Sequence, residues 1–141
     1  AWLREGKTEA WIKQRLDGMV TRRSLTDTLK QVVEGISGRE YGLATGTIYQ
    51  RLYDLTAHEI RVALGLPPSA NIRDHITELG LKYLGAVELV VEERLSTAEH
   101  VMWEEALQII REVSGMVGRG LRELEAYRGR SAATGQSLIQ R

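Results

Sequence analysis

Apolar residues in this chain recur at intervals of three and four, and residue types that start or stop helices interrupt them repeatedly. This pattern constrains the fold most, because a segment written at that period buries one face as a helix and not as a strand. Trp2, Leu3, Trp11, Ile12, Leu16 and Met19 fall along one face of a first helix ending near Gly18. Ser24 with Asp27 reads as a capping pair that opens a second helix, carrying Leu25, Leu29, Val32, Val33 and Ile36 and ending at Gly35 and Gly38. Residues 37–46, with glycines at 38, 42 and 46, read as a loop. A third helix follows, capped by Thr45 or Thr47, with Ile48, Leu52 and Leu55 inward and Tyr41, Tyr49 and Tyr53 as core-edge packing rather than a stacking platform.

Thr56 and Glu59 form a capping box in sequence, Ile60, Ala63 and Leu64 follow, and Gly65 supplies a left-handed stop. Pro67 and Pro68 prevent continuation. Either Asn71 with Asp74, or Thr77, starts the next helix, with Ile76, Leu79, Tyr83, Val87, Val90 and Val91 as its stripe to about Leu95. Ser96 with Glu99 opens a last helix through Met102, Ala106, Ile109 or Ile110, Val113 and Val117. Gly115, Gly118 and Gly120 mark a close approach or a kink. The fold class is therefore all-α, a multi-helix bundle of five to six helices. Residues 1–127 form one helical domain and 128–141 a flexible basic tail.

Composition excludes several functions. With 141 residues and 43% hydrophobic residues, the chain can bury a core without staples. No cysteine means no disulfide, thiolate zinc site or cysteine nucleophile. His58, His75 and His100 have no histidine companion at helical spacing, so neither metal nor cofactor is expected. Gly115 to Gly120 lacks the spacing of a phosphate loop, and Ser114 and Ser131 lack a nucleophile elbow. The chain reads as a non-enzymatic binding protein. No apolar run is long enough to cross a bilayer, and the charged residues Arg4, Glu5, Lys7 and Glu9 do not form a secretory core, so a cytoplasmic location is expected.

Residues 55–76 read as a helix-turn-helix-like corner: a capped helix, a glycine turn, and a second helix with Ile72 and Ile76 inward. Ser69, Asn71, Arg73 and His75 would then face outward, and Asn and Arg suit bidentate contact with base edges. With Arg22 and Arg23 they form the candidate DNA-binding set. The Gly65-to-Ile72 connection is longer than usual, and Asp74 opposes phosphate, so an ordinary helix–loop–helix corner is the competing reading.

Arg22 to Asp27, Ile48-Tyr49, Leu55 to Arg61, Gly65-Leu66 and Asn71-Ile72-Arg73-Asp74-His75-Ile76-Thr77 together resemble the helical region that accompanies BRO and KilA-N domains in phage-type regulatory proteins. They are also similar to part of the DNA-damage-inducible protein D group. The resemblance spans residues 20–95 and implies a phage-type regulator acting on DNA transactions or on host machinery. The KilA-N or BRO domain itself is not visible in the sequence.

Net charge is zero, which disfavours indiscriminate nucleic-acid binding. The stretch from Leu84 to Glu112 is nonetheless acidic, and Glu88, Glu92, Glu99 and Glu105 form a candidate protein interface. The alternative function is thus a modulator of a host enzyme such as RNA polymerase or a recombination protein. A homodimer through Tyr83 to Val91 or the patch near Gly115 is a third reading. If Arg22, Arg23, Arg73 and Lys82 form one patch, DNA contact gains; if they pair with acids, a protein partner gains.

Overall fold

In the computed structural model, which describes residues 2–138, the helical period is realised as five α-helices. They are α1 (Glu9–Val32), α2 (Gly38–Tyr53), α3 (Ala57–Leu64), α4 (Glu78–Ser96) and α5 (Trp103–Arg128), with 3-10 turns at Leu3–Glu5 and Ile72–Asp74. The β structure among the described residues is one isolated antiparallel bridge, Arg130 to Ser137. The protein is a multi-helix bundle in which α1 packs on α4, α2 on α5, and α4 against α5.

The helix expected to end near Gly18 continues to Val32, so Ser24 is no cap but an exposed residue inside α1. Thr8 caps the helix instead, its side chain accepting from the Trp11 N–H at 3.0 Å. Trp11, Arg15, Gly18, Arg22, Leu25, Leu29 and Val32 alternate four and three residues apart along one face. On α4, Leu81, Leu84, Glu88, Val91 and Leu95 alternate three and four. This spacing lets two helices interlock along a shared seam. The pair is parallel: Trp11 Nε1 donates to the Ile76 carbonyl at one end (2.7 Å), Arg22 meets Glu88 midway, and the Val101 N–H meets the Val32 carbonyl at the other end (2.9 Å). Gly18 costs about 1 kcal/mol against alanine, whereas burying a single leucine gains roughly 1.5–3 kcal/mol. The fully enclosed Leu25 and Leu29 therefore outweigh the break signal.

Residues 38–46 are helix, not loop. Ser37 caps α2, and the Glu40 carboxylate accepts from the Ser37 N–H (2.8 Å) and its hydroxyl. These bonds, the hydroxyl's first, hold the Glu40 carboxyl below the usual carboxylate range. Tyr49 and Tyr53 are buried and stacked at 6.1 Å, as core packing requires. Burial raises the Tyr53 phenol well above its ordinary pKa, and its hydroxyl donates to the Gly80 carbonyl at 2.7 Å.

α3 follows its sequence signals: Thr56 and Glu59 form the reciprocal box, and Gly65 ends the helix at φ 65°. The corner that follows departs from a helix-turn-helix. Asn71 caps only the short 3-10 turn, and α4 opens at Glu78, capped by the Thr77 hydroxyl. Ser69, Asn71, Arg73 and His75 consequently sit in a linker, not on a recognition helix.

The Ser96–Glu99 pair opens nothing, since Ser96 is the last residue of α4. α5 begins at Trp103, with the Glu105 carboxylate accepting from the Met102 N–H (3.2 Å). The bond from the Val101 N–H to the Val32 carbonyl draws the connecting segment across the end of α1 first. α5 then runs through all three glycines without ending, and only Gly118 is pressed against the Arg51 carbonyl and the Leu52 backbone.

The segment read as a tail from residue 128 folds back as far as residue 138. Ala132 and Ala133 are fully enclosed, Thr77 Oγ1 donates to the Ala132 carbonyl (2.5 Å), and Glu125 Oε2 accepts from the Ala132 N–H (2.7 Å). The remainder of that expectation, residues 139–141, lies outside the described residues. No helix among the described residues is long and apolar enough to cross a membrane.

Candidate functional site

Glu88 lies on the seam of α4, and no part of it is exposed. A lone carboxylate there would be costly, so it must be paired or protonated. Two arginines pair it. Arg73 approaches as a fork, Nη1 to Oε1 at 3.2 Å and Nη2 to Oε2 at 2.9 Å, and Arg22 Nη1 reaches Oε2 at 3.1 Å. Burial alone would lower the Arg73 pKa, but the adjacent Glu88 charge outweighs it and holds the guanidinium protonated above its ordinary range.

Local structure aims each arm. The buried side chain of Ile72 anchors the 3-10 turn, and the Asn71 side chain accepts from the Arg73 N–H (3.1 Å), which fixes the direction of Arg73. The Arg73 guanidinium also lies 5.8 Å from the Tyr49 ring centre. Arg22 Nη2 donates to Thr45 Oγ1 (2.6 Å), and Thr45 Oγ1 donates to the Tyr41 carbonyl (3.1 Å). Arg15 Nε pairs with Asp74 at 3.0 Å, and Arg61 Nη2 donates to the Ala70 carbonyl at 3.3 Å. One buried carboxylate thereby ties α1, α4 and the linker together, and α2 is joined through Thr45.

Above this network lie two adjoining cavities of about 520 and 340 Å³, which share Arg22, Thr45, Tyr49 and Asn71. Arg15, Arg22, Arg23 and Arg73 line the larger, Arg22 and Arg61 the smaller, and no carboxylate lines either. Asp74 pairs with Arg15, and Glu88 is shared by Arg22 and Arg73, so two acids stand against five arginines, a net excess of three positive charges, with Arg23 and Arg61 in no ion pair among the described residues. The cleft therefore carries an excess of positive charge, and its most buried cations, Arg15 and Arg73, are held in place by Asp74 and Glu88 respectively.

Of the candidate DNA-binding residues, Arg22, Arg23, Asn71 and Arg73 converge on the larger cavity, whereas Ser69 and His75 are exposed and line neither. Lys82 stands apart and pairs with Glu78 at 3.3 Å. The acidic set does not form one face. Glu88 is enclosed and belongs to the arginine network, because its heptad position points it into the seam. Glu92 is half-buried and accepts from the Thr28 hydroxyl at 3.3 Å; Glu105 closes the start of α5; Glu99 is exposed between α4 and α5. Arg15, Arg61, Thr45 and Tyr49 are lining residues that sequence reasoning did not select. The seam spacing of Arg15 and Arg22 with Trp11, Leu25 and Leu29 was the available signal for the first of them.

A second groove of about 640 Å³ between α2 and α5 is lined by Arg51, Arg111 and Arg119 with Glu112, all exposed. Among the described residues no group of three or more His, Asp or Glu side chains could hold a metal. Comparisons of the chain with protein-family models, with curated proteins and with solved structures gave no match.

Proposed function

We propose that this is a non-enzymatic regulatory protein of the phage type, acting in the cytoplasm on nucleic-acid transactions by gripping a phosphate backbone in the arginine-lined cleft. The observation that carries the reading is the five-arginine lining, with a net excess of three positive charges over Asp74 and Glu88 and no carboxylate at its surface. Guanidinium forks suit phosphate oxygens, and cations fixed in advance lose little freedom on binding. Base-edge readout from a helix in the major groove is not part of the proposal, since Asn71 and Arg73 lie on a linker. A modulator that binds a host enzyme through its acids is the weaker reading, because Glu88 is enclosed and Glu105 is committed to a helix end. A homodimer through Tyr83 to Val91 has only Leu89 and Val90 as exposed large apolar residues, since Val87 and Val91 are core, and Gly118 is used within the chain.

The test is fluorescence anisotropy with labelled DNA over a salt series. Binding is expected, with a slope of log K against log salt of about −2 to −3 for three phosphate contacts. Arg23→Ala is the diagnostic variant, because Arg23 is exposed and has no ion pair among the described residues. It should weaken binding and reduce the slope by about one. Arg111→Ala, in the α2–α5 groove, is the comparator. Loss of binding with Arg111→Ala and none with Arg23→Ala would move the contact to the other groove.

A further inference from the structure

Resting on that reading of the cleft, we propose that the smaller cavity seats one unstacked base, so that the protein takes single-stranded nucleic acid in preference to duplex. The chamber of about 340 Å³ sits at the small end of the roughly 300–1,000 Å³ range of ligand clefts, and it opens directly onto the arginine-lined cavity. A strand whose phosphates lie along Arg22 and Arg23 would have a base beside the chamber mouth.

Three features of the walls fit a base. The half-exposed Tyr41 offers an aromatic ring, and stacking on such rings is how single strands are held without sequence preference. Asn71 uses its side-chain oxygen on the Arg73 N–H, which leaves its amide hydrogens for a base edge. Tyr49 lines both cavities, and its hydroxyl, which has no hydrogen-bond partner among the described residues and is open to solvent, can donate to a ligand at their junction.

The α2 side of the cavity has the same character. Gly42 and Gly46 lie one turn apart in α2, and a Cβ at either would meet nothing within 4 Å. Glycine weakens a helix interior relative to alanine, and here no neighbouring backbone requires it. Gly18 and Gly120 are equally free of contact, so openness alone marks no site. Gly42 and Gly46 differ in that both line this chamber, where side chains would occupy the space. A duplex could fill it only by extruding a base, at an unstacking cost that a single strand largely avoids.

Anisotropy should compare a labelled oligothymidylate about a dozen nucleotides long with a duplex of the same length. The single strand is expected to bind about tenfold tighter, the scale of one stacked base. Gly46→Leu keeps every arginine and raises helix propensity, and it should abolish that preference while leaving duplex affinity unchanged. Tyr41→Leu, which preserves bulk without the ring, should weaken the single strand about fivefold. A thermal melt confirms that both variants fold. Equal binding of strand and duplex, or a preference that survives both variants in folded protein, overturns the chamber and leaves the phosphate reading standing. Binding of neither nucleic acid overturns both. A free mononucleotide held as tightly as the oligonucleotide overturns the assignment to a polymer.

Discussion

Glu88 shows how one side chain can carry a fold and a site together. Its carboxylate is shared between Arg73 and Arg22, so removing its charge leaves two guanidinium groups facing each other beside a neutral amide. Breaking a buried ion pair from one side costs about 3–5 kcal/mol. Glu88→Gln is therefore expected to lower unfolding stability by that order in urea denaturation, far beyond the effect of an exposed acid such as Glu99→Gln. The same logic makes Arg22 and Arg73 poor test positions for binding, since alanine at either strips a partner from a buried charge. Ser114 is the opposite case. Its hydroxyl is enclosed in α5 without a hydrogen-bond partner among the described residues, so the folded state carries an uncompensated desolvation. Ser114→Ala should leave stability unchanged or raise it by up to about 1 kcal/mol in the same measurement.

At the scale of the element, α5 contains a matched pair of glycines with opposite roles. A Cβ at Gly118 would run into the Arg51 carbonyl, and backbone cannot step aside cheaply; at Gly120 it would meet nothing. Gly118→Ala is expected to destabilise by about 1–3 kcal/mol, and Gly120→Ala to stabilise by about 0.5–1 kcal/mol, as read from the denaturation midpoint. Both look alike in sequence, where the three glycines suggested either a kink or a close approach. Helix α2 adds a pH dependence. The Glu40 carboxyl is lowered by its bonds to Ser37, so its contribution is complete above the ordinary carboxylate pKa and lost as pH falls through the lowered value. Amide exchange at the start of α2 should accelerate on acidification, and Ser37→Ala should reduce that acceleration.

Element boundaries were legible where local chemistry decided them. Thr56, Glu59 and Gly65 bound α3 with bonds formed inside a single turn, and the structure keeps each of them. The boundary at Gly18 was misread because the seam of α1 carries Arg15 and Arg22 where an apolar stripe would be sought. Those charges are tolerated only because Asp74 and Glu88, far along the chain, come to meet them. Residues 37–46 looked like a loop because three glycines masked the Ser37–Glu40 box.

Across the whole molecule, the segment after α5 acts as a clip. It gives its Ala132 carbonyl to Thr77 at the start of α4, while Gln136 Nε2 donates to the Ala63 carbonyl near the end of α3. The Gly80 position tolerates no side chain against the Ala132 carbonyl and Ile76. A chain ending at Arg128 should therefore melt roughly 5–10 °C lower, with α3 and the start of α4 losing amide protection first. If the melting temperature is unchanged, the segment contributes nothing to stability. The all-helical class followed from the sequence alone, because period and capping act within a few residues. So did part of the cleft: Arg22, Arg23, Asn71 and Arg73 were selected together and do converge. Only the tertiary structure decided that Glu88 is a buried counter-charge and not an outward acid. It alone made residues 71–74 a turn that aims an arginine, and it alone joined α1 to α4 in parallel. Pairings between residues sixty positions apart leave no local trace, and a charged residue at a seam position reads as surface until its partner is in place.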